Sequence, residues 1–252
     1  MKSFPSTPAV SFVCALVCAV VFALPAPARA QSFFTDFSRA VGNLFAPKIE
    51  GSGNVVQQTR EFGAFHTVRI DAPFSVDIDC SPNGEPSVFI QADDNILPLI
   101  STTMSGGVLT ISLDNEINAR GIESKHLKVL VRAPFSENAE LLGVGSVHLS
   151  NVHRAVCNIT LHGIGSLTAS GSTEKLTVNG NGVGSIDAKR LKAQSVQVSS
   201  HGIGSTSVYA STNLDIDLGG IGSLTYYGNP QNVKKNAGGI GSVRKGSARV
   251  EP

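Results

Sequence analysis

Through the C-terminal half of the chain, apolar residues stand at every second position of short runs with polar residues between them, the pattern of strands with one buried face. The alternation is tied to a recurring tetrapeptide. Gly143-Val144-Gly145-Ser146 returns as Gly163-Ile164-Gly165-Ser166, Gly182-Val183-Gly184-Ser185, Gly202-Ile203-Gly204-Ser205, Gly220-Ile221-Gly222-Ser223 and Gly239-Ile240-Gly241-Ser242, with starts 20, 19, 20, 18 and 19 residues apart. Six residues before the first Gly of copies two to six stand Cys157, Leu176, Val196, Leu214 and Val233. Four before it stand Ile159, Val178, Val198, Ile216 and Lys235. Four residues after that Gly come Val147, Leu167, Ile186, Thr206, Leu224 and Val243, and two later Leu149, Ala169, Ala188, Val208, Tyr226 and Lys245. The middle residue of each motif is Val or Ile. No helical period fits this stretch.

Each repeat therefore reads as two or three short strands joined by glycine-bearing corners, and a period near 19 is about one coil of a parallel β-helix. The predicted fold is all-β, a right-handed parallel β-helix whose six motif copies stack at ~4.8 Å per coil over roughly 29 Å. The Val, Ile and Leu columns are expected to fill its interior. Gly143, Gly145, Gly163, Gly165, Gly182, Gly184, Gly202, Gly204, Gly220, Gly222, Gly239 and Gly241 are read as structural corners, where positive φ and close coil-on-coil approach suit glycine. Ser146, Ser166, Ser185, Ser205, Ser223 and Ser242 form a ladder beside them, facing outward or satisfying corner backbone groups. In the last coil Lys234, Lys235, Arg244, Lys245 and Arg249 enter positions that are apolar or neutral earlier, which reads as a terminal cap against end-to-end growth or, alternatively, a small basic contact site.

Upstream, strand alternation continues without the motif in Val68/Ile70, Phe74/Val76/Ile78, Val88/Ile90, Leu109/Ile111/Leu113 and Leu127/Val129/Val131, with turns marked by Pro73, Pro82-Asn83-Gly84, Gly106-Gly107 and Asn118. These strands are either the first irregular coils of the solenoid or a small sandwich leading into it. The lack of a linker between Val131 and Gly143 favours one β-helix domain over 61–250, with regular coils from 143. Residues 49–60 read as linker or exposed strand. Phe33, Phe34, Phe37, Ala40, Val41, Leu44 and Phe45 recur at three- and four-residue spacing, predicting an amphipathic helix over 31–48 ended by Pro47. It is read as a cap or docked helix in preference to a peripheral membrane contact through residues 33–45.

The first thirty residues read as a secretory signal: Lys2, the apolar run Val10 to Leu24, and Ala28-Arg29-Ala30 before a cleavage that leaves Gln31. That run falls short of the roughly 20 residues that span a bilayer. Charged residues are 15% of the chain, with 20 Lys plus Arg against 19 Asp plus Glu, which gives no basic footprint for nucleic acid. Parallel stacking accounts for the low charge, because like charges at one offset would face each other at about 5 Å. Export removes Cys14 and Cys18 with the leader; Cys80 and Cys157 either pair or stay buried and inert, and sequence does not choose.

The glycine motif is not a nucleotide loop: it repeats, precedes strands, and has no following Lys. Its serines have no paired base at a constant offset, so no catalytic residue is assigned. Asp215 and Asp217 share an outward face, with Asp187 and Glu140 further off, and no Lys or Arg stands in their column before Lys234. His162 and His201 occupy one column two coils apart with Asn181 between, too far apart to converge on one metal ion. His148 and His153 are placed to approach His162 only if a corner brings them there. No metal site and no cofactor is expected. Tyr226 and Tyr227 put one ring inward and one outward. The candidate binding residues are Asn179, Ser199, Asp217 and Tyr227.

Phe62-Gly63-Ala64-Phe65, Ser75-Val76-Asp77-Ile78, Gly107-Val108-Leu109-Thr110-Ile111 and the row of Gly-x-Gly-Ser motifs together resemble the putative auto-transporter adhesin, head GIN domain family, a bacterial family of unknown function. The resemblance runs from about Phe62 to Gly246. It implies an exported β-helical domain of a bacterial envelope, in the periplasm or at the cell surface, but without a translocating barrel. The expected function is a non-enzymatic envelope binding or structural module, adhesin-like, offering polar ladders to a glycan, an envelope protein or a second copy. The alternatives are a polysaccharide-acting enzyme on a β-helix scaffold and a membrane-associated sensor or assembly factor.

Overall fold

A computed structural model describes residues 48–113 and 122–247. The leader read over 1–30, the helix predicted over 31–48 (apart from Lys48) and the turn at Asn118 lie outside the described residues. In chain order the strands are β1 (Ile49–Glu50), β2 (Val55–Glu61), β3 (Thr67–Asp71), β4 (Val76–Asp79), β5 (Ser87–Asp93), β6 (Ile100–Ser105), β7 (Val108–Leu113), β8 (Ile122–Glu123), β9 (Lys128–Arg132) and β10 (Asn138–Leu141). Then follow β11 (Val144–Leu161), β12 (Ile164–Gly180), β13 (Val183–Ser200), β14 (Ile203–Leu218), β15 (Ile221–Tyr227), β16 (Asn232–Ala237) and β17 (Ile240–Lys245).

All but β1 and β8 belong to one sheet that winds as a β-solenoid of about five turns. β11 to β14 each make most of a coil, bending where the ladder slips register, as between Leu149 and Val152. Asn151 turns this first bend with φ 55, a left-handed conformation that asparagine tolerates. Successive coils pair in parallel and in register, motif on motif: Gly145 with Gly165, Gly165 with Gly184, Gly184 with Gly204, and on through Gly222 and Gly241.

The upstream strands are the irregular beginning of the same solenoid. β3 pairs in parallel with β10 and β4 with β11, while β7 and β9 pair in parallel on the far side of β3 and β4. The coil made by β3 and β4 thus lies between two segments that follow it in sequence. Antiparallel strands close that end: β6 on β7, β5 on β9, and β2, in the stretch read as linker or exposed strand, on β5. The β6–β7 turn is Gly106-Gly107 with both φ values positive, as a two-residue hairpin of type I′ requires.

The interior follows the sequence offsets. Val147, Leu167, Ile186 and Leu224 form one buried column, Leu176, Val196 and Leu214 a second, and Ile159, Val178, Val198 and Ile216 a third. At the C-terminal end Lys235 stands in register with Ile216 and Lys245 with Tyr226, so an interior column ends in a charge. The ammonium of Lys235 sits 4.9 Å above the Tyr226 ring. Burying these lysines against another solenoid end would cost desolvation, which opposes end-to-end growth.

One expectation is corrected. The Val or Ile at the centre of each motif does not fill the interior; all six face solvent. The reason is parity. Counted from the first Gly, the buried columns stand at even offsets and the motif centre at an odd one, so strand alternation turns it outward.

Candidate functional site

The odd offsets that precede each motif lie on the outer face of one arm of the coil and form three adjacent columns. At seven before the first Gly stand Lys175, Ser195, Asn213 and Asn232; at five before, Thr177, Gln197, Asp215 and Lys234; at three before, Asn179, Ser199, Asp217 and Asn236. Hydrogen bonds between coils orient the rungs. Asn232 Nδ2 donates to Asn213 Oδ1 and Asn213 Nδ2 to Ser195 Oγ, each at 2.9 Å, and Asn236 Nδ2 donates to Asp217 Oδ1 at 2.8 Å. Across the first two columns, near the C-terminal end, opens a hollow of about 530 Å³ lined by Lys175, Ser195, Gln197, Asn213, Asp215 and Lys234 among others. Lys234 Nζ and Asp215 Oδ2 are 3.8 Å apart, a loose and exposed pair.

The structure brings Asn179, Ser199 and Asp217 together as consecutive rungs of one column. Tyr227 is not with them. It lies beyond the next glycine corner, stacked in register on Tyr209 and half-buried beside Gly246. The Asn213 and Asn232 rungs of the hollow escape a residue-by-residue reading because they belong to no motif. Counting polar residues at a fixed offset before each Gly-x-Gly-Ser finds them. Asp215 and Asp217 do share the outward face predicted for them.

Ser199, His201 and Asp217 lie in a row. Ser199 Oγ lies 3.2 Å from His201 Nδ1, and His201 Nε2 lies 3.5 Å from Asp217 Oδ2. The residue types are those of a hydrolase triad, yet the neighbouring backbone donors are committed. The N–H groups of His201 and Gly202 both bond to the Gly180 carbonyl, and that of Ile203 to the Gly182 carbonyl. An oxyanion there meets no free donor pair, and with about half of His201 and Asp217 exposed, water is not excluded. The three side chains form a half-exposed polar row on this face.

Two other groups of reactive side chains lie away from this face. Asp93 is buried where β5 ends, accepting hydrogen bonds from the Ser124 hydroxyl and, at 2.9 Å, the Gly53 N–H, with His126 Nδ1 at 3.4 Å. The Ser124 bond is the main cause that holds its carboxyl below the ordinary value. Because Ser124 and His126 both address the same carboxylate, His126 is not placed to take the serine proton. Cys80 and Cys157 are free thiols in the interior. Burial pushes both up to about 12; Asp79 adds to the shift at Cys80 and Arg154 opposes it, while Cys80 adds to the shift at Cys157. His148 and His153 bond to the hydroxyls of Thr168 and Ser172 on the next coil. Among the described residues no three His, Cys, Asp or Glu side chains gather to hold a metal ion.

Residues 64–230 match the family described as putative auto-transporter adhesin, head GIN domain. The chain is similar in structure to a putative adhesin from Bacteroides fragilis NCTC 9343, with a TM-score of 0.58 and 21% identity over 78% of this chain and 99% of that one. It is more distantly similar to two proteins of Parabacteroides distasonis ATCC 8503. One is described as a putative lipid binding protein (TM-score 0.43, 17% identity, 79% and 100% of the two chains), the other as a putative adhesin (TM-score 0.42, 16% identity, 79% and 100%). The first likeness supports the β-solenoid fold. No curated protein matches the chain.

Proposed function

We propose, from the premise that this chain belongs to the putative auto-transporter adhesin, head GIN domain family, that it is an exported, non-enzymatic binding module of the bacterial envelope, and that a glycan lies along its three polar columns. The observation that carries this reading is the hollow of about 530 Å³ in whose wall Ser195, Asn213 and Asn232 are oriented by bonds between coils, beside Gln197, Gln231 and apolar stems that a sugar ring can lie against. Amides offer both donors and acceptors, as sugar hydroxyls require. Their repetition at ~4.8 Å suits an extended, repeating ligand over a compact one. Asn179, Ser199 and Asp217 prolong the same surface beside the hollow.

The enzyme alternative asks for a carboxyl raised by an apolar cleft to serve as general acid. The shifted carboxyls point the other way: Asp79, Asp93 and Asp94 are all held below their ordinary value. The signal segment and the resemblance to adhesins support export, and the chain from Gln31 onward is taken as the mature form.

The test is calorimetric titration of the mature chain with purified envelope polysaccharides, alongside the double variant Asn213→Ala/Asn232→Ala. Losing two oriented hydrogen-bonding side chains should weaken binding about tenfold or more. Absence of binding to every polysaccharide, or binding untouched by the variant, overturns the assignment. Capture of an envelope protein through the same residues, without glycan binding, would move the ligand to the protein class.

A further inference from the structure

The centre of each motif forms an exposed apolar ridge. Val144, Ile164, Val183, Ile203, Ile221 and Ile240 are 45 to 73% exposed, and strand register sets each directly over its predecessor. Five steps of ~4.8 Å make a ridge about 24 Å long. Nothing in the coil itself asks for an aliphatic residue here. The outward columns at three and five residues before the first Gly, and at three and five after it, hold no apolar residue in any of the six coils. Strand propensity alone would be met by Thr, which those columns use freely.

The ridge is bordered on both sides by glycine columns, whose absent side chains would meet the backbone of the neighbouring coil and not the solvent. Beyond them stand the serine ladder on one side and Leu142, His162, Asn181, His201, Gly219 and Gly238 on the other. These five columns, ridge included, hold no Asp, Glu, Lys or Arg over all six coils. The ridge exposes roughly 500–600 Å² of aliphatic surface, the size of the largest patch on a typical monomer, and such patches are often functional.

We infer that this face is a homodimer interface, in which the ridges of two copies related by a two-fold axis pack side by side, the rungs of one between those of the other. A row of protruding side chains at a constant rung spacing is complementary to itself, which is what an isologous contact demands. The neutrality of the five columns removes the like-charge repulsion that opposes most self-contacts and gives a charged partner nothing to pair with. Complete burial of both ridges removes at most about 1,000–1,200 Å², the lower edge of the range of stable interfaces, about 1,200–2,000 Å², and the flanking serine columns add to it. The hollow of the proposed glycan face lies across the columns five and seven residues before the first Gly, away from the ridge, although the two faces meet where His201 reaches Ser199.

Sedimentation of the mature chain across nanomolar to tens of micromolar concentration tests the inference. A concentration-dependent dimer is expected. I203K/I221K should raise its dissociation constant by roughly a hundredfold or more, since two central anchors become charges facing their own copies. Both side chains are half exposed in one copy, so the circular dichroism of the variant should be unchanged. I203T/I221T keeps β-branching and serves if the lysines disturb folding; it should weaken the dimer in the same direction. A chain that stays monomeric throughout, or a dimer indifferent to both double variants, overturns the inference. So does a dimer that is retained in the ridge variants and lost in K235E, which would place the contact at the solenoid end.

Discussion

The carbonyl oxygen of Gly165 occupies the place where a Cβ on Gly184 would stand, and Gly184 itself has φ +144. The same relation joins Gly204 to Gly184 and Gly222 to Gly204. The second Gly of the motif is thus required twice, by its own backbone and by the coil beneath it.

Gly184→Ala should therefore destabilise the protein by about 3 kcal/mol or more, combining a disfavoured backbone conformation with overpacking against a rigid strand. Gly238→Ala, where an added Cβ meets nothing within 4 Å, should stay within about 0.5 kcal/mol of the parent. Urea unfolding of the two variants side by side measures the contrast. Equal effects would mean that the coils do not touch at the corner.

Leu176 and Ile164 separate interior from ridge. Leu176 is fully buried, and Leu176→Ala should cost about 2–5 kcal/mol through lost transfer energy and a cavity. Ile164 is 54% exposed, and Ile164→Thr should cost under about 1 kcal/mol in the same unfolding assay at submicromolar protein.

Asp93 makes the protein acid-sensitive. Its native carboxyl titrates below its ordinary value near 3.8, so its stabilisation is complete above that pH and is lost as pH falls through the native value. Asp79 and Asp94 act in the same direction. Unfolding free energy should decline below about pH 4 and be flat in this respect between 5 and 7. Asp93→Asn should lower stability at pH 7 and make the acid slope shallower, measured by urea midpoints along a pH series.

Cys80 and Cys157 should resist thiol reagents in the native protein. Both are buried, and with their thiols pushed up to about 12 the thiolate fraction at pH 8 is on the order of one in ten thousand. A colorimetric thiol assay on the mature chain should find no fast-reacting group in buffer and two in denaturant. A fast native reaction at either cysteine would place it outside the interior.

Much of the solenoid was legible in the chain. The offsets of Leu176, Val178 and Leu167 from their glycines named the buried columns, and a repeat near 19 residues implied coils laid directly over one another. Strand parity also holds the outward direction of Ile164 and its equivalents, but their aliphatic identity points to the opposite face. The rungs Asn213 and Asn232 were visible only as positions. Polar identity is cheap on any exposed strand, and nothing local distinguishes a hollow from a flat wall.

What the sequence alone determined is the local and periodic part: strand, corner, coil length, and which side chains repeat at the same place. Those follow from a backbone period of two and from glycine's lack of a side chain, which act within one coil and its neighbour. The tertiary structure decided how β3 and β4 came to lie between segments that follow them, where Tyr227 stands relative to Asp217, and which open surface became hollow or ridge. These depend on contacts between residues far apart in sequence, and an alternating pattern is equally satisfied by many stacking orders until the coils are actually paired.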